Sequence, residues 1–164
     1  MAMIRQCRES DFDTLCEIIN DAARAYRGII PADRWHDPYM PPAELRREID
    51  DGIAFWCSKR KEGLCGIMGI QDRKEVTLIR HAYVRSASQR QGVGTGLLEH
   101  LEAMTDKTIL IGTWRAASWA ISFYEKRGYS LTDKTDTVRL LRRYWSIPER
   151  QVETSVVLMK VTGA

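Results

Sequence analysis

Apolar positions recur along this chain with two different periods, and the alternation between them outlines its architecture. Ile4 to Cys7 reads as a short first strand. Phe12, Leu15, Ile19, Ala22, Ala23 and Tyr26 then fall at helical spacing, behind Ser10 as a helix cap with Asp13 three positions on. Gly28 and Pro31 stop that helix. Ile29 to Pro42 is rich in proline and aromatics and reads as an ordered loop. Ala43 to Asp51 forms a short helix with Leu45 and Ile49 inward. Ile53 to Lys59 and Leu64 to Gln71 read as strands of a hairpin, turned by polar residues and Gly63. Val76 to Val84 is a further strand, and Gly92 to Thr105 a helix with Val93, Leu97, Leu101 and Met104 on one face. Thr108 to Thr113 is a strand, Ala116 to Arg127 a helix closed by Gly128, and Tyr129 opens a short strand. Thr137 to Trp145 reads as an amphipathic helix, and Val152 to Val161 as the last strand. Hairpins first and a strand-helix-strand unit later predict an α/β (α+β mixed) domain, with about seven strands in a mixed sheet flanked by helices.

Size and composition narrow the classes. The 164 residues suit one domain spanning the chain, and 44% apolar with 29% charged residues is ordinary for a globular protein. A net charge of +3 favours an anionic ligand, but no lysine-rich run points to nucleic acid. No apolar stretch approaches about 18 residues, and Met1 to Arg8 lacks a signal-peptide core. The expectation is a cytoplasmic protein that binds neither nucleic acid nor membrane. Cys7, Cys16, Cys57 and Cys65 include no CxxC pair, so reduced, mostly buried thiols and no metal are expected. Cys57 and Cys65 fall on neighbouring strands, which allows a disulfide without requiring one.

The segment after Val84 carries the chemistry. A strand ends, a polar loop follows, and a helix opens at Gly92 and Gly94. Glycine leaves room for a ligand, and the unpaired N–H groups of Gln91, Gly92, Val93, Gly94 and Thr95 suit phosphate oxygens at the positive end of a helix. Arg85 and Arg90 add positive charge. The glycines alone are equally consistent with a tight turn. A Walker loop is excluded because Thr95 and Gly96, not a lysine, follow Gly94; a dinucleotide fingerprint wants glycine where Leu97 stands.

Gln89, Arg90, Gln91, Gly92, Val93 and Gly94 resemble the Gln/Arg-x-x-Gly-x-Gly/Ala signature of the GCN5-related N-acetyltransferase (GNAT) superfamily. Ala120 to Tyr129, with Tyr124 and Gly128, resembles that family's Ala-x-x-x-Tyr-x-x-x-Gly-Phe pattern, Tyr129 standing for Phe. The likeness runs in order over nearly the whole chain and includes Ala82, Tyr83 and Val84 before the loop. It implies a splayed sheet with acetyl-coenzyme A (acetyl-CoA) wedged between the strand ending at Val84 and the strand at Thr108 to Thr113. It further implies that Tyr83, Val84 and the loop from Gln89 to Thr95 bind the cosubstrate, with a backbone N–H at or near Val84 meeting the thioester carbonyl. Tyr124 is then the acid that meets the sulfur. One departure stands out: Ala117 occupies a position where many members carry Asn, which leaves the pantetheine arm without that contact unless Ser118 substitutes.

Amine acetylation also needs a base. Arg80 and His81 are adjacent in a strand that should be central. Strict alternation places Ile79, His81 and Tyr83 on one face and Arg80 with Ala82 on the other. His81 is the candidate base, a hydrogen-bonded core histidine being the alternative; Glu75 is the runner-up. Tyr26, Asp33, Trp35, His36, Asp37 and Tyr39 border the expected acceptor side, where aromatic faces and carboxylates hold a cationic amine or the aromatics simply pack the loop. Trp56 is a further candidate for that wall. The expected function is transfer of acetyl to a primary amine of a small molecule in a ternary complex. A protein N-terminus as acceptor, and a non-catalytic acyl-CoA sensor, stay open. Leu140, Leu141, Tyr144 and Trp145 offer an apolar surface that, with the last strand, suits a homodimer.

Overall fold

The computed structural model describes residues 3–162. It contains a seven-stranded mixed sheet in the order β1-β2-β3-β4-β5-β7-β6. The strands are β1 (Met3–Gln6), β2 (Ala54–Arg60), β3 (Gly63–Arg73), β4 (Val76–Val84), β5 (Thr108–Trp114), β6 (Ser130–Leu131) and β7 (Ser155–Lys160). The helices are α1 (Phe12–Ala23), α2 (Pro42–Asp50), α3 (Val93–Glu102), α4 (Ser118–Glu125), α5 (Lys134–Tyr144) and α6 (Glu149–Thr154). Among the described strands only β4 and β5 run parallel, as the connecting helix α3 requires. No helix among the described residues is long and apolar enough to cross a membrane.

The two faces of the sheet bury separate cores. On one, Leu97, Leu98 and Leu101 of α3 pack on Met68, Ile79 and Ile111 with Tyr124 and Tyr129. On the other, Leu15, Ile18 and Ile19 of α1 and Leu45 of α2 pack on Phe55, Cys57, Ile67 and Tyr83. Burying these side chains, each contributing about 1.5–3 kcal/mol, fixes which face of each helix turns inward.

The elements predicted from periodicity are present, with several corrections. Ser10 does not cap α1; it lies in a 3-10 turn (Glu9–Asp11), where the Asp11 carboxylate accepts the Arg8 N–H at 2.7 Å. The helix expected from Thr137 begins at Lys134, because Asp133 caps it through the Asp136 N–H at 2.8 Å. A short helix, α6, takes residues up to Thr154, so the last strand starts at Ser155. Leu140 and Leu141 point into a third core with Leu110 and Val157, and β7 is paired with β5 on one side and β6 on the other. Of the apolar surface expected to serve a dimer, Leu140 and Leu141 are therefore interior, while Tyr144 and Trp145 are half-buried. Cys57 and Cys65 belong to opposite faces of the sheet, and all four cysteines are free thiols.

Two irregularities in β4 shape everything that follows. First, β4 pairs with β5 only over Val76–Ile79 with Thr108–Ile111. Beyond that point β4 stays with β3 and β5 stays with β7, so the two parallel strands part. Second, the β3–β4 register shifts between Ile67 and Gly69, a bulge in which His81 adopts φ +54°. Gly69 sits opposite the bulge, where an added Cβ would lie 3.0 Å from the Arg80 carbonyl oxygen and 2.7 Å from Ile53.

Candidate functional site

The parting of β4 from β5 opens two cavities. The outer one, about 520 Å³, is lined by Tyr83, Val84, Gln89, Arg90, Gly92, Val93, Gly94 and Thr95 on one side, and by Trp119, Phe123, Tyr124 and Arg127 on the other. The inner one, about 110 Å³, is lined by Tyr39, Arg80, His81, Thr113, Trp114 and Trp145 among others. They meet across Tyr26, Ala82, Tyr83, Ala120 and Tyr124, which line both.

The outer cavity is built by backbone conformation. Arg90 and Gly92 both have positive φ, +63° and +79°, and Gly92 is the N-cap of α3. An added Cβ at Gly92 would meet nothing within 4 Å, so glycine is there for its dihedral angles rather than for space. The first N–H groups of α3 are left without helical acceptors and face the cavity with the positive helix end. The loop before them is pinned to α1: Asp21 accepts from the Ser86 N–H at 2.8 Å and from its hydroxyl at 3.1 Å. A cradle of free amides, open space and cations fits a diphosphate.

Arg85 does not contribute to that cradle. Its guanidinium turns to the Leu64 carbonyl at 2.8 Å and to Glu17 at 3.3 Å. The second cation is Arg127, which the sequence motif did not single out. It donates to Thr95 Oγ1 from Nη2 at 2.6 Å and to the Phe123 carbonyl from Nη1 at 2.7 Å, and lies 3.7 Å from the centre of the Phe123 ring. Gln91 lies outside the lining, its side chain and carbonyl taken by Arg60. Ala117 is wholly buried, and Ser118 is exposed and lines neither cavity.

Val84 stands where the strands have parted. The Arg85 N–H donates to Cys65 of β3 at 2.8 Å. Successive N–H groups of a strand point to opposite edges, so that of Val84 points into the gap. Tyr124, on α4, closes the junction of the cavities and is nearly buried. Burial pushes its phenol well above the usual range, so it holds its proton.

At the inner end the bulge overturns the expected alternation. Ile79 and Ala82 pack on the α3 side, Tyr83 on the α1–α2 side, and Arg80 and His81 both reach Glu48 of α2. His81 Nε2 lies 2.6 Å from Glu48 Oε2; the contact is poorly aligned for a hydrogen bond, and neither atom has another partner. Arg80 is 3.3 Å from Glu48 Oε1 and donates to Gln71 at 3.3 Å. Burial pushes the Glu48 carboxyl up, but His81 and Arg80 outweigh it, and the net direction is down. His81 is half-buried and lines the inner cavity. Glu48 is the functional candidate that sequence reasoning missed; helical spacing puts it beside Leu45 and Ile49 but says nothing of its partner. Glu75 is at the far end of β4, exposed beside Arg143 and Tyr144.

Of the expected acceptor wall, Tyr26 and Tyr39 line the inner cavity, with ring centres 5.5 Å apart. Trp114 Nε1 donates to the Tyr39 hydroxyl at 2.8 Å, and Asn20 ties the loop to α1 through both backbone groups of Met40. Trp35 and His36 line neither cavity; they stack behind Tyr39 at 5.7 and 6.3 Å. Trp56 faces the other side of the sheet, against His100 at 4.7 Å. Cys7, Asp11 and Cys57 cluster within 4.8 Å outside both cavities, with Asp11 already paired to Arg5 through two bonds.

The sequence profile described as "Acetyltransferase (GNAT) domain" matches residues 20–141. Among curated protein sequences, none matches significantly. A solved structure of PaiA N-acetyltransferase from Thermoplasma acidophilum in complex with coenzyme A is 19% identical, with 98% of this chain and 99% of that one covered at a TM-score of 0.74. An acetyltransferase of the GNAT family from Staphylococcus aureus Mu50 is 15% identical, with both chains fully covered at 0.75. The ribosomal-protein-S18-alanine N-acetyltransferase of Escherichia coli is 15% identical, covering 100% and 96% at 0.67. At such identities these structures share the fold. The matched profile spans most of the chain, and with the glycine-capped helix start beside a parted parallel pair it leads to one conclusion: the protein belongs to the GNAT acetyltransferase family.

Proposed function

We propose that the protein transfers the acetyl group of acetyl-CoA to a primary amine of a small molecule, by direct attack while both substrates are bound. The observation that carries this reading is the meeting of the two cavities at Tyr124: phosphate-type donors lie at one end, and His81 with Glu48 at the other.

The amides from Gly92 to Thr95, with Gln89, Arg90 and Arg127 around them, hold the diphosphate, while Gln91, taken by Arg60, stands outside. Tyr83 and Val84 edge the channel along which the thioester lies, and the Val84 N–H faces the carbonyl oxygen as negative charge develops there. Tyr26 and Tyr39 wall the acceptor, with Trp35 and His36 bracing Tyr39. His81, its Nε2 turned to Glu48, takes the ammonium proton on Nδ1, directly or through water. The freed amine forms the C–N bond as the C–S bond breaks; the Tyr124 hydroxyl protonates the departing sulfur, and the second proton that the nitrogen sheds on becoming an amide restores the phenol. The coenzyme A-bound PaiA structure, sharing this fold, supports the choice of cosubstrate. The small inner cavity favours a small amine over a peptide N-terminus.

The test is a thiol-release assay with acetyl-CoA across a panel of amines, beside calorimetric titration of acetyl-CoA. Turnover on at least one small amine is expected. Tight binding with no release on any amine contradicts the reading and favours a sensor; release only with peptides moves the acceptor to a protein N-terminus.

A further inference from the structure

The walls of the inner cavity have a one-sided charge. Arg80 and His81 line it, and among the described lining residues there is no Asp or Glu. Glu48 pairs with both of them but does not itself reach the lining. An acceptor with a second positive charge would meet a guanidinium and find no carboxylate to hold it.

The Arg80 guanidinium is only partly satisfied. Its side chain is 12% exposed, and its two protein hydrogen bonds, to Glu48 and Gln71, are both long at 3.3 Å. A buried guanidinium with donors to spare gains most from an anion presented in the plane of its fork. Burial pulls its proton affinity down, which the nearby Glu48 does not fully reverse.

The bulge brings the two cavity functions side by side. Arg80 and His81 are consecutive, and the positive φ of His81 turns both toward the α2 side of the sheet. A ligand that gives its amine to His81 and an anion to Arg80 has those groups separated by only a few bonds. The space agrees: about 110 Å³ is room for roughly four waters at about 30 Å³ each, enough for a compact molecule of a few heavy atoms, with any longer substituent projecting outward. Tyr26, Tyr39 and Tyr83 supply ring faces for the ammonium before it loses its proton.

We infer that the acceptor is a compact amino carboxylate, an amine with a carboxylate a few bonds away, and that Arg80 is the residue that selects it. This rests on the acetyltransferase reading above. The experiment measures kcat/KM by thiol release from acetyl-CoA with the free amino acids and β-alanine, against ethanolamine and 1,2-diaminoethane, for the wild type and for Arg80→Gln. The best amino carboxylate should exceed both uncarboxylated amines at least about tenfold, and Arg80→Gln should bring that ratio close to one. Retained acetyl-CoA binding by the variant is the folding control; if the variant does not fold, the wild-type ratio decides alone. Ethanolamine or the diamine turning over as fast as every amino carboxylate overturns the inference while leaving the transferase standing. A ratio that Arg80→Gln leaves intact overturns the role of Arg80. No release from any acceptor overturns both the inference and the reading beneath it.

Discussion

His81 Nε2 and Glu48 Oε2 stand 2.6 Å apart, although their residues lie in β4 and α2 and the strand's ordinary pleat would have separated Arg80 from His81. The left-handed residue in the bulge makes the contact, and such strained residues gather at functional sites. If Glu48 acts only by orienting His81, the two losses overlap. His81→Ala should lower kcat/KM by roughly 10²–10⁴-fold, Glu48→Gln by less, and the double variant by about as much as His81→Ala alone. Steady-state kinetics on the four proteins of the cycle checks this; fully additive losses would separate Glu48 from the base.

Tyr124 should act as a protonated acid throughout the working pH range. Burial raises its phenol, so ionisation should cause no loss of kcat below about pH 10. Tyr124→Phe should cut kcat by roughly 10²–10⁴-fold while shifting the Kd of acetyl-CoA by less than about threefold. A pH–rate profile of both proteins, with titration of the cosubstrate, measures each quantity.

Arg127 should belong to the cosubstrate site. It is bound to Thr95 in the first turn of α3 and lines the outer cavity. Arg127→Gln should weaken acetyl-CoA about tenfold, chiefly at low salt, since screening already weakens the wild-type attraction at high salt. Calorimetric titration at two ionic strengths checks the difference.

Asp11 supplies a stability test remote from the site. Arg5 holds its carboxyl down, to about 2. A depressed carboxyl contributes stability above its unfolded value of about 3.9, and that contribution disappears as pH falls through about 2. Asp11→Asn should therefore cost about 1–2 kcal/mol at neutral pH, after discounting for solvent screening, and the gap from wild type should close between about pH 4 and pH 2. Denaturant melts across that range measure it.

The outer cavity, which we propose takes the cosubstrate, is outlined in the sequence because its glycine loop is local. Gln89 to Thr95 follow one another, and a strand, a turn and a helix start need only neighbouring residues to form. The strand Val76–Val84 was likewise readable from its own run of apolar residues. The inner cavity is not, because it depends on contacts across long stretches of chain. A bulge shows no signature in the alternation of Ile79, Arg80, His81 and Ala82; it requires the register with Gly69. Glu48 is carried to His81 by the packing of α2. Leu140 and Leu141 looked like exposed surface because periodicity identifies an apolar face without naming its partner, here Leu110 and Val157. Trp56 packs against His100 rather than on the acceptor wall for the same reason, strand alternation giving two faces but not which one faces α3.

We propose that the amides at the start of α3 grip a diphosphate and so aim a thioester at Tyr124. Calorimetric titration of acetyl-CoA against S-acetylpantetheine, which has the thioester and arm but no phosphates, tests it directly. Removing the phosphates should weaken binding by about 100-fold or more. Equal affinity for the two compounds would contradict it.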